Sequence, residues 1–253
     1  MVDYENGYNN NNEVIHMGRQ RTVAKKRAQF SHNEAHFKLD GIIPLNHNQE
    51  KTFRHYEEGQ HLFLHGVAGT GKTYISCYLA MTDLMKPRPI YKNLTLVRSA
   101  VPTRDIGHLP GDETEKAEIF ETPYKSIFTD LFRRGDAYSL LRKKSVIDFK
   151  TTSYVRGITL DNTIVIVDEC QNLSFHELDS IITRVGDNCK IIFCGDIRQS
   201  DFTKTTDKNG INTFVDIIKN IPEISFIEFL PEDIVRSDFV KTYILEKLKR
   251  DIN

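Results

Sequence analysis

His65-Gly66-Val67-Ala68-Gly69-Thr70-Gly71-Lys72-Thr73 decides how this chain is read. From Gly66 to Thr73 it completes the pattern G-x-x-x-x-G-K-[ST]. The apolar run Leu62-Phe63-Leu64 leads in as a buried strand, and Tyr74 to Met81 lead out with helical apolar spacing. Strand, loop and helix in that order make an anion cradle. Glycines let backbone N–H groups converge, and the helix N-terminus adds positive dipole. The pattern sets Lys72 on the β- and γ-phosphates and offers the Thr73 hydroxyl to Mg²⁺. The expected binding set is Gly66, Val67, Ala68, Gly69, Thr70, Gly71, Lys72 and Thr73, and the expected ligand is a nucleoside triphosphate.

A second half-site stands about a hundred residues on, counted along the sequence from the loop. Thr163-Ile164-Val165-Ile166-Val167 is a β-branched run suited to a strand buried on both faces of a parallel sheet. It ends in Asp168-Glu169-Cys170-Gln171-Asn172, so two carboxylates stand where such strands present ligands. Asp168 fits a residue that holds Mg²⁺ through water. Glu169 fits the general base that polarises the attacking water. A third run, Lys190-Ile191-Ile192-Phe193-Cys194, ends in Gly195-Asp196-Ile197-Arg198-Gln199. Gln199 can bridge the γ-phosphate and that water by donating and accepting.

The set GVAGTGKT, VDECQN and GDIRQSD resembles the PhoH-like family and, more distantly, the first motor domain of superfamily-one helicases. Further segments share the resemblance: Asn48-Gln49, Leu96-Val97-Arg98, Gly107-His108-Leu109-Pro110-Gly111, Tyr154-Val155-Arg156-Gly157 and Asp233-Ile234-Val235-Arg236. It runs in one register from about Asn48 to Tyr243. Departures are Cys170 for a usual alanine, Ser99 for a proline, and Ile158 where arginine is common. The resemblance implies an ATP-binding RecA-like P-loop NTPase domain with ATPase activity, coupled to RNA or single-stranded DNA. It sets Asn48 and Gln49 toward the adenine and makes Arg98 and Arg156 candidate nucleic-acid or phosphate contacts, with plain surface salt bridges as the alternative. Superfamily-one helicases place ATP between two motor domains, and this chain has strands for one. The missing arginine is then expected from a neighbouring copy in a homo-oligomer, with a hexameric ring as the closed form. Arg236 is the candidate finger; the alternative is an Arg236 folded back in cis or paired with Asp233. The rival functions are a nucleotide-gated assembly protein with little turnover and a small-molecule kinase.

Five apolar runs alternate with helical segments: Leu62–Leu64, Leu94–Val97, Ile164–Val167, Ile191–Cys194 and Ile224–Phe229. They indicate an α/β fold, a mostly parallel five-stranded core sheet with helices on both faces. The resemblance to RecA-like folds implies that a strand lies between the phosphate-loop strand and the acidic strand; the apolar runs themselves do not fix strand order. A helical insertion, about residues 103–145, interrupts the alternation, and Thr151 to Thr159 reads as an extra extended segment. A helix is expected over Glu50 to Glu57. A terminal helix, Phe239 to Lys249, carries Val240, Tyr243, Ile244 and Leu248 on one stripe.

The 253 residues suffice for one full α/β core, expected over 41–253. A formal net charge of -1 provides no global attraction for nucleic acid, so such contacts must be local. Residues 1–40 read as a mobile tail, with Asn9-Asn10-Asn11-Asn12 and a basic run of Arg19, Arg21, Lys25, Lys26 and Arg27. His32 and His36 there lack the order of residues that a zinc protease helix needs. The four cysteines, Cys77, Cys170, Cys189 and Cys194, have no C-x-x-C spacing and read as reduced thiols in a reducing cytosol, which the family resemblance implies is bacterial, with a phage gene as an alternative source. No run has transmembrane length, so no membrane partner and a cytoplasmic location are expected.

Overall fold

The computed structural model describes residues 37–99, 113–197 and 205–250. Among them, six strands form one parallel sheet: β1 (His61–Gly66), β2 (Asn93–Arg98), β3 (Ile147–Thr151), β4 (Thr163–Val167), β5 (Lys190–Gly195) and β6 (Ile224–Phe229). Their order is β3-β2-β4-β5-β1-β6, so β5 separates the phosphate-loop strand from the acidic strand, as expected. The helices are α1 (His47–Glu57), α2 (Lys72–Leu84), α3 (Glu113–Phe132), α4 (Ala137–Lys143), α5 (Thr152–Val155), α6 (Phe175–Ile182), α7 (Thr205–Ile218) and α8 (Asp238–Leu248).

Two-residue alternation along the central strands feeds two cores. Leu62 and Leu64 of β1, Ile164 and Ile166 of β4, and Ile192 of β5 face one core with Tyr56, Ile75, Met81, Tyr124 and Leu141. Phe63, Val165, Val167, Ile191 and Phe193 face the other, with Leu178 and Ile181 of α6 and Phe214 and Ile218 of α7. Each fully buried Leu or Phe contributes roughly 1.5–3 kcal/mol over the exposed state. Both faces being covered is what makes these strands read as unbroken apolar runs.

Five strands were expected and six are found among the described residues; β3 is the addition. It lies at the sheet edge, paired only to β2, with Asp148 and Lys150 half-buried and joined to each other at 2.6 Å. Polar residues at every second position hide such a strand from a search for apolar runs. The extended segment expected over Thr151 to Thr159 is corrected accordingly: the strand ends at Thr151 and α5 follows. Helix α1 starts three residues before Glu50 because the Asn46 side chain accepts from the Gln49 N–H at 2.8 Å and caps it. Residues 37–40, read as part of the tail, pack on the insertion instead. Phe37 is buried with its ring 4.5 Å from Phe132, and Asp40 N–H donates to the Leu131 carbonyl at 2.9 Å. Helix α8 buries none of its residues, with Phe239 82% and Tyr243 64% exposed, so its apolar stripe is not a core face. The Asn run, the basic run, Gly107 to Gly111 and Gln199 lie outside the described residues.

Candidate nucleotide site

The phosphate loop connects β1 to α2 at the carboxyl end of the sheet, where β5 and β6 flank β1 on either side. Gly66 has φ 117°, and a Cβ built there would lie 2.0 Å from the Phe229 carbonyl oxygen of β6. That carbonyl accepts from Val67 N–H at 3.0 Å, so only glycine lets the loop leave the sheet here. Gly71, at φ 87°, serves as the N-cap of α2. Lys72 folds over the loop, donating to the Gly66 and Val67 carbonyls at 2.8 Å each. Burial lowers its pKa, while nearby Cys194, Asp196, Glu169 and Asp168 act in the opposite direction.

The acidic strand meets the loop directly. Thr73 Oγ1 donates to Asp168 Oδ1 at 2.7 Å, and the Tyr124 hydroxyl of α3 donates to Asp168 Oδ2 at 2.8 Å. Burial and the adjacent Glu169 push the Asp168 carboxyl up from the usual carboxylate range; the two hydroxyl bonds and the Arg98 charge hold it down. A buried carboxylate whose two hydrogen-bonding partners are neutral hydroxyls, beside a second carboxylate, is a donor set that suits a divalent cation. The donor set fits Mg²⁺, which Thr73 and Asp168 would hold. Among the described residues there is no cluster of three or more His, Cys, Asp or Glu side chains placed to hold a metal by themselves. A cation here would therefore need the oxygens of a bound phosphate.

Glu169 follows at φ 51°, a left-handed turn just past the end of β4. Gln171 Nε2 donates to Glu169 Oε2 at 2.6 Å, and Gln171 Oε1 accepts from Asp196 N–H at 3.1 Å. A Cβ on Gly195 would lie 2.5 Å from that Gln171 oxygen, so glycine is required for the bridge.

A family model described as PhoH-like protein matches residues 41–246. The chain belongs to the PhoH-like family. It is 34% identical over 180 residues to the PhoH-like protein of Bacillus subtilis (strain 168), covering 71% of this chain and 55% of that one. The match to the protein PhoH of Escherichia coli (strain K12) is 30% over 204 residues, covering 78% and 55%. This PhoH-like chain thus spans about half the length of the curated relatives it matches. A slighter likeness, TM-score 0.49 at 11% identity over 82% of this chain and 50% of the other, is to the large terminase of a thermophilic bacteriophage in complex with ADP.

The remaining expected residues of the PhoH-like chain surround the loop unevenly. Gln49 is buried, with its Nε2 donating to the Thr70 carbonyl at 2.9 Å and its Oε1 accepting from Leu45 N–H at 2.9 Å. Asn48 Nδ2 donates to Asp233 Oδ2 at 2.7 Å. Both amides therefore tie α1 to the phosphate loop and to the segment after β6, a fold role that the expectation of an adenine contact did not include. Val235 N–H donates to the Gly69 carbonyl at 3.0 Å, and a Cβ on Gly69 would lie 3.0 Å from Arg236 Cγ. Arg236 thus lies beside the loop of its own chain, and its side chain is exposed. Arg98 ends β2 close enough for its charge to act on Asp168 and Tyr124, at the nucleotide end of the sheet. Arg156 is exposed beyond α5, beside Tyr154, which is 55% exposed.

Tyr124 and Gln171 are site residues that sequence reading missed. Gln171 carried a signal, its place within Asp-Glu-Cys-Gln-Asn. Tyr124 carried none, because it lies on an insertion more than forty residues before the carboxylate it meets. Among the described residues, no helix is long and apolar enough to cross a membrane.

Proposed function

We propose that this PhoH-like chain binds ATP with Mg²⁺ and hydrolyses it, and that turnover responds to RNA or single-stranded DNA. The observation that supports this best is the 2.7 Å bond between Thr73 and Asp168, which joins the phosphate loop to the acidic strand end. A glycine-rich turn without nucleotide chemistry gives no reason for that pairing. In the proposed reaction, Lys72 exchanges the Gly66 and Val67 carbonyls for phosphate oxygens. The loop N–H groups and the α2 dipole balance the remaining negative charge. Mg²⁺, when bound, neutralises charge developing on the β- and γ-phosphoryl oxygens. Thr73 and Asp168 would hold it, and Glu169 accepts a proton from the water that attacks the γ-phosphorus in line as the bond from that phosphorus to the ADP oxygen breaks, giving ADP and inorganic phosphate. Positioning and charge neutralisation supply most of the barrier reduction, since the transition state is loose.

Arg236 acts in cis in this reading, reaching the γ-phosphate from its seat beside Gly69. A homo-oligomer, up to a hexameric ring, then is not needed to complete the site. The nucleic-acid response rests on the family and on Arg98 and Arg156, since net charge gives no general attraction. The decisive experiment measures phosphate release with and without single-stranded RNA and DNA, with no added acceptor. A several-fold stimulation by one of them supports the reading. Tight ATP binding with no turnover under any condition would replace it with a nucleotide-gated binding protein, and release only with an added acceptor would make it a kinase.

A further inference from the structure

Tyr124 is fully buried, and its ring lies 5.9 Å from that of Phe149 on the edge strand β3. Its hydroxyl donates to Asp168 Oδ2 while Thr73 donates to Oδ1, so each oxygen of one carboxylate accepts one hydroxyl. The two hydroxyls are not equivalent. That of Thr73 is shared between the carboxylate and the cation that the proposed function assigns to it. Among the described residues that of Tyr124 donates to Asp168, and its ring is held by packing, with Phe128 and Leu131 buried in the same core. A two-point grip fixes the plane of a carboxylate; a one-point grip leaves it free to turn.

We propose that Tyr124 is the positioning residue for the Mg²⁺-holding carboxylate of Asp168, which makes the helical insertion a working part of the nucleotide site. This rests on the proposed function. The ordinary explanation is that a buried phenol needs some acceptor. The same insertion supplies the comparison: Tyr138, on α4, donates to Glu121 at 2.6 Å, an equally buried pairing inside the insertion that does not touch the site. A loosened insertion would follow from losing either hydroxyl. A misaligned Asp168 would follow from losing only one.

The test titrates Mg²⁺ against binding of a fluorescent ATP analogue to the full chain, for the wild type, Tyr124→Phe and Tyr138→Phe, and repeats binding in EDTA. Tyr124→Phe should need about tenfold more Mg²⁺ for half-maximal binding, the scale of one lost hydrogen bond to a charged group. Its metal-free binding should equal that of the wild type, and Tyr138→Phe should leave the Mg²⁺ midpoint unchanged. In an Asp168→Asn background, Tyr124→Phe should add no further shift. An unmoved midpoint in Tyr124→Phe, an equal shift in Tyr138→Phe, or loss of the folded state in Tyr124→Phe would each overturn the proposal, the last because the phenol would then be a folding element. A wild type whose nucleotide binding ignores Mg²⁺ would instead overturn the proposed function itself.

Discussion

Gln171 holds Glu169: its Nε2 lies 2.6 Å from the carboxylate proposed as general base, while its Oε1 accepts from the Asp196 N–H at 3.1 Å. One side chain thereby spans the ends of β4 and β5 and sets where the carboxylate of Glu169 sits.

Gln171→Met removes both bonds at nearly constant length. It leaves the buried Asp196 N–H without the Gln171 oxygen, at a cost of about 1–3 kcal/mol. The variant should melt several degrees lower and hydrolyse ATP at least about tenfold more slowly, because the base loses its orientation. ATP affinity should change little. Calorimetry, turnover and equilibrium binding together check this; unchanged turnover would leave Gln171 a purely structural bridge.

Glu169→Gln keeps shape but removes the basic lone pair. Turnover should fall on the order of a hundredfold or more while ATP still binds. Lys72→Ala should show the opposite split, with weakened binding from loss of a charge-assisted partner for the phosphates. Wild-type turnover in Glu169→Gln would remove that residue from its role.

Arg236→Ala should bind ATP and lose about a thousandfold in turnover, the scale of an arginine acting on a γ-phosphate. Because Arg236 lies against Gly69 of its own chain, mixing Arg236→Ala with Glu169→Gln should restore nothing. Recovered activity in the mixture would mean that the arginine serves a neighbouring copy.

Burial pushes the thiols of Cys77, Cys170 and Cys194 up from their ordinary range. Their folded pKa values exceed the unfolded one of about 8.5, so their stabilising effect is complete below that pH and is lost as pH rises toward the folded values. Each should cost about 1.4 kcal/mol per pH unit in that window. Denaturant midpoints measured at pH 8 and pH 10 should show a steep alkaline loss. At pH 8 the folded protein should present to a thiol reagent only the half-buried Cys189, and all four cysteines after unfolding. Fast labelling of more than one thiol in the folded protein would contradict this burial.

Much of the fold was legible in sequence for a definite reason. Leu62–Leu64, Ile164–Val167 and Ile191–Cys194 face cores on both sides, so nothing polar interrupts them. Chemistry concentrated at their ends is readable too, because a phosphate loop needs glycine and lysine at fixed spacing along the chain. Edge strand β3 was not legible, since Asp148 and Lys150 face away from the core and break the run. Contacts between distant segments were not legible either. Tyr124 reaches Asp168 across 44 positions, and Gly69 lies under Arg236 only because β6 runs beside β1. Sequence determined which groups stand at the strand ends, through local spacing. Tertiary structure decided which of them share an atom, because strand order and the seat of the insertion are set by packing between segments that no local pattern records.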